Sequence, residues 1–301
     1  MSQDTGQNTN RRSGMVALVG RPNVGKSTLV NALVGEKVSI VTPKPQTTRH
    51  RIIGVLTEGE TQIALVDTPG LHTSQKTALN RVMNETAVSS LAGIDVVLFV
   101  VEAGQWRDED AAALARLARI KAPVGLVVNK TDRFKDKTEL LPFMEQVSGE
   151  REFDFVVPVS AQRADNLQAL MTELAPRMPE GAYLFPEDEY TDRNMRFLAA
   201  ESVREKLTLF LQQELPYSVA IEIESFESGP EQIEIHACIW VSRDNHKSIV
   251  IGKGGAMLKK IGRAARLDLV DRLGQRVDLR LWVKVRENWI DSEAAVRELG
   301  H

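Results

Sequence analysis

An α/β doubly wound sheet followed by a smaller α+β domain is the architecture this sequence predicts. Three observations carry the prediction. Strand-like apolar runs alternate with helix-like stretches up to residue 178, and polar clusters recur at the ends of those strands. After a proline-rich break the pattern changes to half-exposed strands of period two.

Taken in order, Met15–Val19 reads as a buried strand and Ser27–Val34 as a helix. Between them lies Gly20-Arg21-Pro22-Asn23-Val24-Gly25-Lys26-Ser27, a match to G-x-x-x-x-G-K-[ST], followed by Thr28. Glycines let successive N–H groups curl toward one anion, and the helix start adds partial positive charge. Lys26 suits β- and γ-phosphates and the Ser27 hydroxyl suits Mg²⁺. Residues 42–49 carry two prolines and read as a mobile connection. His50–Thr57 and Gln62–Val66 read as an antiparallel hairpin, the second strand running into Asp67-Thr68-Pro69-Gly70.

Asp95–Val101 is a continuous apolar run, as expected for a central strand covered on both faces. A helix is expected over Asp108–Ile120. Val124–Val128 is a strand ending at Asn129-Lys130-Thr131-Asp132, and Phe155–Val159 one ending at Ser160-Ala161, with a helix over Asn166–Arg177. Ligands of a doubly wound sheet sit beyond the carboxyl ends of its strands, where these four polar clusters fall.

The Asp132 carboxylate can accept the two N–H groups that guanine offers from N1 and N2. Adenine presents an acceptor in place of the N1 donor and would leave the carboxylate unpaired, at a cost of about 1–3 kcal/mol. Ser160-Ala161 can offer a backbone N–H to the guanine O6. GTP is therefore expected over ATP. Asp67 is placed to hold Mg²⁺ through water, and Gly70 to offer its N–H to the γ-phosphate. Thr48, or second Thr47, can add a hydroxyl ligand to the metal, which makes residues 42–50 and 67–80 candidate switches. Leu71 follows Gly70 where many GTPases carry a water-orienting glutamine, so hydrolysis must be slow or use other means. Asn23 is then a candidate to hold K⁺ against the phosphates, with the alternative that it only shapes the turn. Arg21 and Arg49 are further cation candidates. Lys26, Thr48, Asp67, Gly70 and Asn23 make up the expected catalytic set.

Pro176, Pro179, Gly181 and Pro186 break the pattern. The division expected is a tail over 1–13, a nucleotide domain over 14–178, a linker over 179–195 and a second domain over 196–301. The second domain reads α-β-β-α-α-β, with helices on one face of a three-stranded sheet. Its helices are expected near 196–214, 256–273 and 292–299, and its strands carry alternating apolar residues from Val219, Ile233 and Val277. Gly252-Lys253-Gly254-Gly255, after Ile251 and before a helix, fits the G-x-x-G loop with which KH domains clamp a single-stranded nucleic acid. From Arg243 to Arg286 there are 12 Lys and Arg against 4 Asp and Glu, in a chain whose net charge is −3. Lys259, Lys260, Arg263 and Arg266 follow the loop at near-helical spacing, so single-stranded RNA is the expected partner.

The remaining composition mainly excludes. The 301 residues suffice for two domains, and 43% hydrophobic with 26% charged is a globular balance. A single cysteine rules out a disulfide within the chain and argues for a reducing compartment, the cytoplasm. Cys238 lies mid-strand and reads as a core residue. No apolar run approaches the ~20 residues of a membrane span. His72, His236 and His246 lack metal-ligand spacing, so zinc is not supported.

Together these segments carry a specific resemblance. G-R-P-N-V-G-K-S, K-P-Q-T-T-R-H-R-I, D-T-P-G-L-H, N-K-T-D, S-A, F-P-E-D, V-I-G-K-G-G and L-W-V-K-V-R occur in the order found in the bacterial Era GTPases, over about residues 14–300. The resemblance implies a P-loop GTPase domain joined to a type II KH domain. It implies binding near the 3′ end of small-subunit ribosomal RNA during 30S subunit assembly, with GTP, GDP and the small subunit as partners. It also implies peripheral association with the inner membrane, and it raises the expectation of K⁺ at Asn23. Two other readings remain: an RNA-binding assembly factor in which hydrolysis is only a release timer, and a GTPase of the tRNA-modifying type.

Overall fold

The structure, a computed structural model, describes residues 10–44, 46–69, 77–212 and 215–299. Its elements run β1 (Arg12–Val19), α1 (Lys26–Val34), β2 (Ile52–Glu58), β3 (Thr61–Asp67), α2 (Ala78–Ser89), β4 (Val96–Glu102), α3 (Asp108–Ala115), β5 (Val124–Asn129) and α4 (Leu141–Ser148). They continue with β6 (Phe155–Pro158), α5 (Leu167–Leu174), α6 (Met195–Phe210), β7 (Val219–Ser228), β8 (Gln232–Val241), α7 (Asp244–Ile251), α8 (Ala256–Leu273), β9 (Arg276–Val285) and α9 (Glu293–Glu298). Their contacts fall into two units. The first takes the described residues of 10–38, 51–68 and 88–192, the second those of 39–50, 69–87 and 193–299.

In the first unit six strands form one sheet in the order β2-β3-β1-β4-β5-β6. Only β2 runs antiparallel, paired with β3 from Ile52 opposite Asp67 to Glu58 opposite Thr61. The all-apolar β4 segment Val96–Val101 is buried throughout, because both faces of a parallel sheet are covered. On one face Val16, Leu18, Leu65, Leu98 and Val127 pack against Leu29 and Val30 of α1 and Leu170 and Leu174 of α5.

Two expected boundaries are corrected. The tail does not reach residue 13: Arg12 and Ser13 belong to β1, in register with Thr61 and Gln62. The stretch from 179 to 192 is not a free linker but packs on the first unit. Tyr190 O accepts from Val55 N at 2.9 Å, Asp192 Oδ1 from Ile53 N at 2.9 Å, and Gln62 exchanges two bonds with the Phe185 backbone. Prolines forbid regular structure there, yet the chain still satisfies the backbone of β2, which would otherwise be an open sheet edge. The C-terminal part of the second unit begins at Arg193, and the unit also takes 39–50 and 77–87 out of the expected nucleotide domain.

That unit keeps the order α6-β7-β8-α7-α8-β9, as its periodicity predicts. β7 and β8 are antiparallel with a bulge between Ile223 and Ser225, while β8 and β9 are parallel. Ile239 and Val241 face Val203 and Leu207 of α6 and Ile261 and Ala265 of α8. Helices on one face only is a further expectation to correct. Ala220 and Trp240, on the opposite face, pack with Leu79, Val82 and Met83 of α2 and Ala295 and Val296 of α9. Neither α2 nor α4 is predicted by the sequence reading. α3 stops at Ala115, and α6 stops at Phe210, where Leu211 turns extended and joins Leu207 and Leu215 in the core. Among the described residues no helix is long and apolar enough to cross a membrane.

Candidate functional site

The phosphate loop is shaped by one close fit. Gly25, at φ +102°, precedes α1, and a Cβ there would come within 2.3 Å of Asn129 Nδ2. Asn129 ends β5 and is 1% exposed. Its Nδ2 donates to Val24 O at 2.9 Å, while its Oδ1 accepts from Lys130 N at 2.8 Å and Ala161 N at 3.0 Å. One side chain thus ties the loop, the turn after β5 and the turn after β6. The strained turn at Lys130, φ +67°, sends Nζ to Asn23 O at 2.6 Å and Glu102 Oε2 at 2.9 Å. Ser160 Oγ donates to Asp132 Oδ1 at 2.6 Å, fixing that carboxylate. Of the Ser160-Ala161 backbone N–H groups, expected to include a donor to a guanine O6, Ser160 N donates to Asp165 O at 3.1 Å and Ala161 N to Asn129 Oδ1.

Lys26 lies under the loop, its Nζ bonded to Gly20 O at 2.8 Å and Arg21 O at 2.9 Å. Burial pushes its ammonium down to about 8, although Asp67 pulls the other way. Ser27 Oγ donates to Asp67 Oδ2 at 2.7 Å, and Asp67 is fully buried. This hydroxyl and carboxylate are hard oxygen donors of the kind Mg²⁺ takes beside phosphate and water. Among the described residues no three His, Cys, Asp or Glu cluster as a metal cage. Thr68 Oγ1 donates to Leu18 O at 3.0 Å, Pro69 is buried, and Pro22 and Thr28 are half-buried. Gly70, Leu71 and His72 lie outside the described residues.

Three expectations about side chains are corrected. Arg21 is no mobile cation: its guanidinium bonds Asp110 at 3.0 Å and Glu102 at 3.1 Å, all three buried. Burial disfavours the charged Glu102, but Lys130, Arg21 and Arg133 more than offset it and hold its carboxyl below the usual range. Arg49 is not mobile either, since it donates to Val219 O at 2.7 Å and Pro216 O at 2.8 Å in the second unit. Thr47 spends its hydroxyl locally, on Thr42 Oγ1 and Lys44 O at 2.7 Å each. Thr48 is buried, and both threonines belong to the second unit. Asn23 is exposed at φ +63°, a backbone state asparagine tolerates.

In the second unit Gly252, Gly254 and Gly255 take φ of +72°, +58° and +79°. A Cβ on Gly252 would meet Met257 Cβ at 2.8 Å, so the loop folds tightly onto the start of α8. Ile251 is half-buried beneath it and Lys253 is exposed. Along α8 the stripe Ile261, Ala265 and Leu269 is buried, which leaves Lys259, Arg263 and Arg266 on the opposite, exposed face. Lys260 lies 4.3 Å from the Phe210 ring centroid. Sequence reasoning missed Glu201, Arg204 and Glu205, all buried on α6: Glu205 accepts from Val41 N, Arg204 donates to Thr47 O, and Glu201 pairs with Arg204. The signal was an i, i+3 charge pair, Glu201 and Arg204, inside an otherwise apolar helix face.

Residues 15–130 match the family described as "50S ribosome-binding GTPase" and residues 214–290 match the KH domain. The chain is 55% identical over 290 residues to "GTPase Era" of Xanthomonas oryzae pv. oryzae, covering 96% of this chain and 97% of the relative. It is 52% identical over 295 residues to "GTPase Era" of Stenotrophomonas maltophilia, covering 98% and 99%. A solved structure of Era with MgGDPNP and nucleotides 1506–1542 of 16S ribosomal RNA superposes with a TM-score of 0.93 at 41% identity, over 96% of this chain and 99% of that one. A single-residue variant of Aquifex aeolicus Era bound to GDP·AlF4⁻ gives 0.92 at 41%, with the same coverage.

Proposed function

This chain belongs to the Era family of GTPases, and from that premise we propose that it is a GTP-driven switch that binds small-subunit ribosomal RNA near its 3′ end and assists 30S assembly. One observation carries the switch reading. Residues 39–50 and 77–87, which adjoin the phosphate-site motifs in sequence, pack in the same unit as the glycine clamp. A change in nucleotide state that moves either segment alters the surroundings of the RNA-binding fold.

Asp132, held by Ser160, reads guanine N1–H and N2–H. Lys26 sits where its ammonium can leave the Gly20 and Arg21 carbonyls for β- and γ-phosphate oxygens. The Ser27 hydroxyl and the Asp67 carboxylate would hold Mg²⁺, Asp67 through water, with Thr48 as a further ligand and the Gly70 N–H on the γ-phosphate. When bound, Mg²⁺ neutralises charge growing on the phosphate oxygens. A water oxygen bonds to the γ-phosphorus, the bond to the β–γ bridging oxygen breaks, and GDP leaves with that electron pair. The water's proton goes to the phosphate or to solvent. Leu71 offers no carboxamide to orient the water, and Arg21 and Arg49 are held by other partners. The exposed Asn23 side chain would therefore help to place K⁺, which favours hydrolysis in potassium over sodium.

RNA would run over Gly252–Gly255 with its phosphates toward Lys253, Lys259, Lys260 and Arg263. The test is filter binding of the GTP- and GDP-loaded protein to a fragment spanning the 3′ end of 16S ribosomal RNA. Different affinities for the two forms are expected, and equal affinities would end the switch reading.

A further inference from the structure

A cavity of about 290 Å³ opens within the second unit, along the first turns of α6. Among the described residues that line it, none belongs to the glycine loop or to the expected GTP set. Its buried end is the pair Glu201 and Arg204, and its exposed end is Asn194 and Arg196. The buried end is chemically incomplete. Arg204 Nε and Nη2 each bond a Glu201 oxygen at 2.6 Å, and the same Nη2 bonds Thr47 O at 2.5 Å. Among the described residues Nη1 has no hydrogen-bond partner and is not shut away from solvent, although the Arg204 side chain is only 2% exposed. The cavity therefore holds a charged donor that calls for an acceptor. Each Glu201 oxygen spends one acceptor site on Arg204 and keeps another. Beside them burial pushes the His50 imidazole down to about 4, against the pull of Glu201, so this ring is neutral. It meets the Phe197 ring edge-on, with centroids 5.2 Å apart.

These groups select a ligand. An anion at the buried end would face the Glu201 carboxylate. What enters there must be neutral, with an acceptor for Arg204 Nη1 next to a donor for Glu201. The edge of a nucleobase carries that pairing, and Phe197, Ala200, Ile221 and Ile223 give its faces apolar cover. At the exposed end Arg196 keeps Nε and Nη1 beyond its bonds to Ile223 O and Glu224 O. Asn194 keeps Nδ2 while its Oδ1 caps Phe197 N at 2.9 Å. Both lie at the start of a 16-residue helix, where an anion is favoured. From Arg204 to Arg196 the helix rises about 12 Å, the reach of a nucleotide from base edge to phosphate. We propose that this cavity binds one nucleotide, its base on the Glu201–Arg204 pair and its phosphate at Asn194 and Arg196, either as a free nucleoside monophosphate or as one unit of an RNA strand. The site is separate from the GTP site and from the glycine clamp, and it stands or falls without the switch reading.

The test is calorimetry of CMP and AMP with the full-length protein saturated with GDP, so that the guanine site is filled. Saturable binding of at least one of them is expected. Cytidine, which lacks the phosphate, and ribose 5-phosphate, which lacks the base, should each bind at least tenfold more weakly. Ala200→Leu, which puts three more carbons into the open space, should weaken the nucleotide at least tenfold with the unfolding temperature unchanged. No binding of CMP or AMP up to millimolar concentration overturns the site, and binding that Ala200→Leu leaves unaltered overturns its location. Ribose 5-phosphate binding as tightly as CMP overturns the base pocket. Filter binding of RNA then identifies the source. Weaker RNA binding by Ala200→Leu assigns the nucleotide to the strand, and unaltered RNA binding assigns it to the free pool.

Discussion

Lys26 and Lys253 each follow a glycine, in loops that lead into helices, yet their surroundings are opposites. Lys26 is 7% exposed, bonds two carbonyls of its own loop and has its ammonium pushed down to about 8 by burial. Lys253 is exposed, and among the described residues its ammonium enters no hydrogen bond or ion pair. The same holds for Lys259, Arg263 and Arg266 along α8. A small ligand of fixed shape is read by groups whose positions are settled beforehand, so that little is reordered on binding. A flexible polyanion is met by hydrated cations that adjust to it, with release of counterions as the driving force.

The largest test of this contrast is Lys26→Ala, which removes both the charge and a tie across the loop. GTP affinity measured by calorimetry should fall by roughly 10²–10³-fold, the worth of two charge-assisted bonds, with RNA affinity of the nucleotide-free protein unchanged. A loss under tenfold would break the contrast. Next, Lys253→Asp with Gly254→Asp should weaken RNA binding by about 100-fold or more, since two anions would face the phosphates. Aspartate tolerates the left-handed backbone at Gly254, φ +58°, so the loop should persist. GTP hydrolysis without RNA should be unaltered, and its loss would show that the two sites are not separable.

Asp132→Asn should weaken GTP by about 10- to 100-fold and improve xanthosine triphosphate, whose ring carries a carbonyl where guanine has its amine. Equal binding of both nucleotides by parent and variant would remove Asp132 from base reading. The smallest effect is in proton uptake. A Lys26 ammonium near 8 is mostly neutral at pH 8.5, and a bound triphosphate favours the charged form. GTP binding at pH 8.5 should therefore take up about 0.7 proton, and almost none at pH 6.5. Calorimetry in buffers of different ionisation heat reads this directly. For stability the sign follows from the depressed value. The buried cation costs the nucleotide-free protein stability below about pH 8, and that cost is relieved as pH rises toward the ordinary lysine value of 10.5.

Much of the nucleotide site was legible because its spacing is local. Gly20, Gly25, Lys26 and Ser27 lie within one turn, and Asn129 and Asp132 sit at one strand end. What Asn129 does was not legible: its partners Val24 and Ala161 lie 105 and 32 residues away. Arg21 read as a free cation because its partners are 81 and 89 residues distant. α2 escaped because its buried residues, Ala78, Leu79, Val82, Met83 and Ala87, form a narrow stripe in a polar sequence.

By itself, then, the sequence determined the two fold types, the strand ends that carry the motifs and the glycine positions, since each depends on periodicity or on backbone geometry within a few residues. Tertiary structure alone decided which unit takes residues 39–50 and 77–87, and it turned Arg21 and Arg49 from free cations into buried anchors. Those outcomes depend on which distant carboxylate or carbonyl the fold brings within hydrogen-bond reach. A buried guanidinium must find such partners wherever they lie in the chain, because leaving it unpaired costs more than any local preference can return.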